Sequence, residues 1–379
     1  MIEWTKQQIE LRDAIRAWKD ALNAPCDHKD DRDIFLARWE VAKQMGVLSL
    51  PVSEEFGGLG QDVLATMYGL EAFGNICEDE GLSFGLSSHI VSTLIPIQRF
   101  GNDEQKRRYL PDLTSGNIIG AHAISETESG SDAWSMKTFA EKTATGYVLN
   151  GSKTFISNGP VADTFVVYAR THKNRGALGG FSAFILDKET EGFCIGKAIE
   201  KVGLQSSTLC DLYFDNVQLS DSQVLGKAGN GFSIFNYVMN WEILCSFIIN
   251  VGEMERLLTK CINYSKSRKQ YGEPIAKFQA ISHKIADMKI RLETSRMMLY
   301  KAGYQFNKGR NITVDLSIAK VVTSENFVQC ALDAMQIFGG YGFMQESGID
   351  KYLRNSVGSK IYSGSSEVQR NTIASMLGL

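Results

Sequence analysis

Up to about residue 118, charged positions alternate with apolar ones at helical spacing and β-branched runs are rare. Glycine and proline mark only breaks such as Glu55-Phe56-Gly57-Gly58, so this stretch predicts helices. Asn102, followed three residues later by Gln105, has the form of a helix N-cap and its reciprocal partner. Near Gly120 the pattern changes to β-branched and aromatic segments bounded by turn residues, at Tyr147 to Gly151, Thr164 to Tyr168, Ser182 to Leu186 and Leu212 to Phe214. Such segments predict a sheet or small barrel. After Gly229-Asn230-Gly231 the helical period returns. Ile281, Ile285, Met288, Leu292, Ser295 and Leu299 recur at steps of three and four, a stripe expected in a core or subunit interface. Helices, then strands, then helices imply segregated layers rather than alternating βαβ units. The expected fold is α+β, mainly α, with a helical domain at 1–118, a β domain at 119–228 and a helical bundle at 229–379.

A chain of 379 residues exceeds the size at which one core stops growing, which agrees with several layers. Its 44% hydrophobic and 22% charged residues suit an ordinary globular protein rather than a disordered one. A formal net charge of -3 provides no overall basic field for a phosphate backbone, so nucleic acid is not an expected partner. Seven scattered cysteines without a CxxC pair suggest neither a disulfide framework nor a thiolate zinc site. The charged, amphipathic N-terminus lacks an export signal, and no stretch reads as the roughly 20 apolar residues of a spanning helix. A cytoplasmic protein with no membrane partner is therefore expected. There is no GxGxxG after a strand, GxxxxGK[ST], GxSxG or HExxH, and no metal site is expected. The five histidines, His28, His89, His122, His172 and His283, read as exposed or internally satisfied.

Three stretches, in order along the chain, resemble the acyl-CoA dehydrogenase family. The first is Ala123 to Asp132 (AISETESGSD), with Leu149 to Gly159 (LNGSKTFISNG) after it. The second is Ser267 to Ile275 (SRKQYGEPI), with Phe278 to Ile281 behind it. The third is Asp333 to Gly342 (DAMQIFGGYG), followed by Arg354 and Ile361 to Arg370 (IYSGSSEVQR). Small residues and hydroxyls in the first stretch let backbone N–H groups approach a flavin edge or a phosphate.

The resemblance implies FAD as cofactor. It implies that Ile124 and Ser125 face the isoalloxazine, with Gly130 and Ser131 beside the pyrophosphate or the thioester arm. Phe155 and Ser157 would cover one flavin face and reach toward N5. Arg268 is similar to the Arg that reaches the FAD of a neighbouring subunit, where a guanidinium fork suits a diphosphate, and Gln270, Tyr271 and Gln279 are expected cofactor-binding residues with it. Gln336 and Gly340 resemble residues along the adenosine half. Ser365 and Glu367 resemble the hydroxyl and polar partner at the flavin end.

The family commonly carries its base as Glu in a Tyr-Glu-Gly pair, whereas this chain has Tyr362-Ser363-Gly364. An unactivated hydroxyl cannot take an α-proton at neutral pH, so Ser363 is not the base. Some branches, isovaleryl- and long-chain acyl-CoA dehydrogenases among them, place the carboxylate on an earlier helix. The matching residue is Glu242, between Trp241 and the apolar Ile243, Leu244 and Cys245. Most relatives have Arg after that Glu, where this chain has Ile243. Glu253 and Glu255 are other carboxylates nearby, with Glu255-Arg256 reading as a solvated helix face.

The implied reaction is removal of the proton α to a thioester carbonyl by Glu242, with hydride transfer to flavin N5. Trp-Glu at the base position and Ser-Gly-Ser in the last motif are similar to dehydrogenases that oxidise prolyl groups on a peptidyl or acyl carrier protein. A branched short-chain acyl-CoA is the alternative substrate. Ser363 also admits a non-catalytic flavoprotein or a flavin monooxygenase of the same fold. By resemblance the chain forms a homotetramer or dimer and passes electrons to an acceptor, either oxygen or an electron-transfer protein.

Overall fold

The computed structural model describes residues 2–26 and 30–379; His28 lies outside the described residues. The first layer contains α1 (Lys6–Arg16), α2 (Lys19–Leu22), α3 (Asp31–Gln44), α4 (Val63–Ile76), α5 (Glu80–His89), α6 (Ile95–Phe100) and α7 (Asp103–Ser115). Side chains begin these helices where the sequence supplies caps. Thr5 with Gln8 and Asn102 with Gln105 form capping boxes on α1 and α7, and Asp62 and Asp79 cap α4 and α5.

The middle layer is a sheet of β1 (Gly120–Ala123), β2 (Phe139–Lys142), β3 (Gly146–Ser157), β4 (Thr164–Arg170), β5 (Phe181–Asp187), β6 (Phe193–Ala198), β7 (Leu209–Ser220) and β8 (Val224–Leu225). A short turn, α8 (Ala177–Gly180), precedes β5. The strand order is β6-β7-β3-β2-β4-β5-β8, and β1 pairs in parallel with β4. Alternation along β4 divides the two cores. Val166 and Tyr168 face the helices, while Phe165, Val167 and Ala169 enter the sheet's own cluster with Leu149, Phe184 and Leu212.

The third layer contains α9 (Gly231–Ser267), a two-stranded ribbon β9 (Lys269–Gln270) and β10 (Glu273–Pro274), α10 (Gln279–Asn307), α11 (Thr313–Phe338), α12 (Ile349–Ser359) and α13 (Ser366–Met376). The stripe on α10 is core as expected: Met288, Leu292, Ser295 and Leu299 are buried, with Ile281 and Ile285 half-buried. The α+β, mainly α architecture agrees with the expectation from the sequence.

Two expectations need correction, both on α9. This helix contains an 18-residue window of mean hydropathy 1.4, long and apolar enough by itself to cross a membrane. It is instead the central core helix, packed against α4, α10 and α11. For the same reason Glu255-Arg256 is not a solvated face. Arg256 is buried and donates to Tyr352 Oη (2.7 Å), to the carbonyls of Gly74 and Cys77, and to Glu80. Glu253 is also buried. Burial, then the charge of Glu80, push its carboxyl well above the usual range against the opposing pull of Arg256.

The α4–α9 crossing relies on missing side chains. A Cβ on Gly74 would lie 2.3 Å from Ile249 O, and one on Gly252 would lie 2.2 Å from Glu71 O. Glycine at mid-helix costs about 1 kcal/mol relative to alanine, so both positions give up propensity for close approach. Gly252→Ala is expected to destabilise the protein by about 1–3 kcal/mol despite alanine's better propensity. Denaturant unfolding measures this, and a stabilised variant would contradict the crossing.

Candidate active site

β1 is held rigidly before it reaches the site. His89 is buried with both ring nitrogens used: Nε2 lies 2.9 Å from Leu113 O and Nδ1 accepts from Gly120 N at 2.9 Å. Burial lowers its pKa to about 4, so the ring is neutral and its proton sits on Nε2. Asn158, in the left-handed region at φ 63°, donates from Nδ2 to Gly85 O at 2.8 Å and to Gly120 O at 3.4 Å. These contacts fix the strand that carries His122, Ile124 and Ser125.

The loop after β1 is organised by a buried ion pair that the motif contained but the sequence reading did not use. Lys153, on β3, is fully buried and donates to Ile124 O and Glu126 Oε1, both at 2.9 Å. Burial pushes its ammonium down to about 8 against the opposing charge of Glu126. Glu126 also accepts from Lys137 N at 2.6 Å and Thr138 N at 3.0 Å. Burial alone would raise the Glu126 pKa, but Lys153 and these donors outweigh it and hold the carboxylate below its usual range. The loop thus presents Gly130, where an added Cβ would meet nothing within 4 Å, beside the exposed Ser131.

Glu242 stands on the sheet-facing side of α9. It lies two helical turns beyond Phe235, whose ring packs 5.7 Å from that of Tyr168 on β4. Ser363 donates to Glu242 Oε1 at 2.5 Å, so the serine of the last motif and the carboxylate from the middle of the chain meet directly. Ser363 has φ 56°, a left-handed backbone that turns its hydroxyl toward α9, and Gln369 Nε2 donates to its carbonyl at 3.0 Å. The other oxygen of Glu242, Oε2, is shielded from solvent and has no partner, as is Nε1 of Trp241. Ile124 is buried; Ser125 and Ser157 are half-buried. Phe155 is 64% exposed at φ 57°, an aromatic ring left uncovered by the chain's own fold. Ser365 spends its hydroxyl as the N-cap of α13, accepting from Val368 N at 3.3 Å, and Glu367 is exposed in the first turn.

The remaining predicted cofactor residues lie elsewhere. Arg268, Gln270 and Gly340 line a groove of about 610 Å³ floored by Ile275, Ile281, Ile337 and Phe338. Arg268 sits 5.8 Å from the Tyr341 ring centre, and Gly340 leaves open space where a Cβ would be. Tyr271, Gln279 and Gln336 are exposed and outside the groove lining. Ser267 lies 25 residues beyond Glu242 on one continuous helix, a separation of about 38 Å at about 1.5 Å per residue. The chain therefore does not bring its two sets of predicted cofactor residues together by itself.

One histidine departs from the expectation that all are exposed or satisfied. His89 fits it, and His172 and His283 are exposed, but Nδ1 of His122 is shielded and has no partner. Tyr168 Oη is in the same condition. Neither residue was singled out for chemistry by the sequence. The nearest signal was an imidazole on an otherwise small, apolar strand.

The chain matches three family models in succession: the acyl-CoA dehydrogenase N-terminal domain over residues 5–117, the middle domain over 121–217 and the C-terminal domain over 229–378. An L-prolyl-[peptidyl-carrier protein] dehydrogenase of Serratia sp. is 40% identical over 341 residues, covering 90% of this chain and 88% of the relative. Among solved structures, PigA with FAD and proline superposes with TM-score 0.94 at 36% identity, covering 100% of this chain and 99% of that one. The prolyl acyl carrier protein oxidase AnaB gives TM-score 0.93 at 36% identity, with 100% coverage of both. With its three layers in the same order and matched along nearly its whole length, the chain belongs to the acyl-CoA dehydrogenase family.

Proposed function

We propose that the protein is an FAD-dependent dehydrogenase that oxidises a prolyl thioester held on a peptidyl or acyl carrier protein, with Glu242 as the base. The observation that carries the base assignment is the 2.5 Å bond between Ser363 and Glu242. It puts the α9 carboxylate against the residue that replaces the family's usual late Glu, so one carboxylate serves where two positions compete for the same space. The prolyl assignment draws on the relatives, the Serratia enzyme and AnaB among them, that are named for prolyl-carrier substrates.

The residues suit the cofactor. Phe155 leaves a ring face uncovered, Ser125 and Ser157 offer half-buried hydroxyls, and Gly130 leaves the loop backbone open to a close approach. The Arg268 groove has apolar walls for a purine and a guanidinium for a diphosphate. FAD held at Phe155, Ser125, Ser157 and the loop backbone would supply a two-electron acceptor beside the substrate. Because the groove lies about 38 Å from Glu242 along α9, it would serve the FAD of a second copy of the chain. Tyr341, Phe343 and Met344, exposed beside it, are apolar surface that such a copy would cover. A homotetramer or dimer follows as part of the same proposal.

Ser363 holds one carboxylate oxygen, which leaves Oε2 free to take the α-proton. Oε2 is shielded from solvent, so the proton leaves carbon for a fixed, poorly hydrated acceptor.

Mixing the purified holoenzyme anaerobically with a prolyl-carrier thioester is expected to bleach the flavin, whereas isovaleryl-CoA is expected to leave it oxidised; the reverse result would assign the branched acyl-CoA instead. Glu242→Gln should slow flavin reduction by about 10²–10⁴-fold with FAD still bound. A variant that reduces at the parent rate would remove Glu242 from the chemistry. Ser363→Ala should slow reduction roughly tenfold by leaving Oε1 without its donor. Arg268→Met is expected to weaken FAD retention by roughly 10–100-fold, read by ultrafiltration and flavin fluorescence, without altering the rate of reduction in enzyme saturated with FAD.

A further inference from the structure

Three shielded polar atoms without partners belong to neighbouring side chains: Oε2 of Glu242, Oη of Tyr168 and Nδ1 of His122. Tyr168 is fully buried. The His122 and Tyr168 rings meet edge to face with centroids 6.4 Å apart, yet share no hydrogen bond. Both feel the charge of Glu242, as does Tyr362, whose hydroxyl is already engaged by Asn250 Nδ2 at 3.2 Å. Buried hydroxyls and imidazoles are ordinarily satisfied, as His89 is through both nitrogens. Other shielded hydroxyls lack partners too, those of Thr66, Thr114 and Thr323 among them, but Tyr168 and His122 are the ones that share the field of the base. His122 on β1 and Tyr168 on β4 thus leave two unused polar atoms in the neighbourhood of the base that a bound molecule would complete.

The chemistry of the proposed substrate indicates which partner. In a prolyl thioester the ring nitrogen is bonded to the carbon whose proton Glu242 removes. A group that receives this nitrogen must lie within reach of the base, and Tyr168, packed against Phe235 on the same face of α9 as Glu242, and His122 beside it are the unpartnered candidates. Burial, with Glu242 adding to it, raises the Tyr168 hydroxyl pKa and keeps it a neutral phenol. Burial lowers the His122 pKa against the opposing charge of Glu242, which favours a neutral imidazole. Each can accept from the ring N–H, which the substrate and its α,β-unsaturated product both keep, or donate to the ring nitrogen's lone pair.

We propose that Tyr168 and His122 form the polar wall that recognises the nitrogen of the acyl ring and thereby selects an aminoacyl thioester over a hydrocarbon one. This rests on the prolyl-thioester reading above. A purely hydrocarbon acyl group would fill the same space and leave both groups without partners, and sites built to bond an N–H reject analogues lacking it far more strongly than they reject a change of size.

The test uses the holoenzyme and two thioesters on the same carrier protein: prolyl as substrate, and cyclopentanecarbonyl, which has the ring without the nitrogen, as competitor. In Tyr168→Phe, kcat/KM for the prolyl thioester is expected to fall by roughly 10–30-fold. The inhibition constant of the cyclopentanecarbonyl thioester should stay the same or tighten. His122→Leu should shift the two substrates apart in the same sense, and it decides the matter if Tyr168→Phe fails to retain FAD. An equal loss toward both thioesters, or no loss toward prolyl, would overturn the recognition role. A parent enzyme that turns over no prolyl thioester would overturn the substrate reading and this inference together, whereas a parent active on prolyl with unaffected variants would overturn this inference alone.

Discussion

The crossing of α4 and α9, where Gly74 and Gly252 allow two backbones to touch, is the constraint on which the site depends. Arg256 reinforces it by reaching from α9 to the carbonyls of Gly74 and Cys77 and to Glu80. A helix held this way along its middle cannot slide or rotate. Its N-terminal half then has one position over β1 and β4, and Glu242 is fixed relative to Ser363. The rigidity has a cost in buried charge, since an ion pair removed from water contributes little net stability. Its contribution here is geometric, in setting a single register for a 37-residue helix.

Several buried polar groups serve as supports. Lys153 with Glu126, His89 with Gly120 and Leu113, and Asn158 with Gly85 are all paired, and each ties the sheet or its following loop to a neighbour. Around Glu242 the arrangement differs: one carboxylate oxygen is held by Ser363 while the second, together with Tyr168 and His122, has no partner. Single hydroxyls such as those of Thr66 and Thr323 lack partners elsewhere, whereas on and around Glu242 several such atoms, Trp241 Nε1 included, occur together.

Much of the architecture was legible because it depends on local rules. The Asn102–Gln105 capping box, the strands at Thr164 to Tyr168 and Ser182 to Leu186, and the α10 stripe follow from side-chain periodicity and short-range hydrogen bonding. The misread positions depend on what lies across from them. Glu255-Arg256 has the form of a solvated helical pair, yet three helices surround α9 and Arg256 is buried. His122 looked unremarkable on a short strand, and only the packing of β1 and β4 beneath α9 reveals its unused nitrogen.

The order of layers, the family resemblance and the replacement of the late carboxylate by Ser363 can be read from the linear chain, because periodicity, turns and motif residues are written along it. It named Glu242 as the carboxylate to examine. That Ser363 and Glu242 touch across 121 residues, and that the Arg268 groove at the end of α9 lies far from Glu242 in its first half, emerges only from the folded chain. These are distances between segments remote in sequence. Helix crossing and sheet packing set them, and no local propensity encodes them.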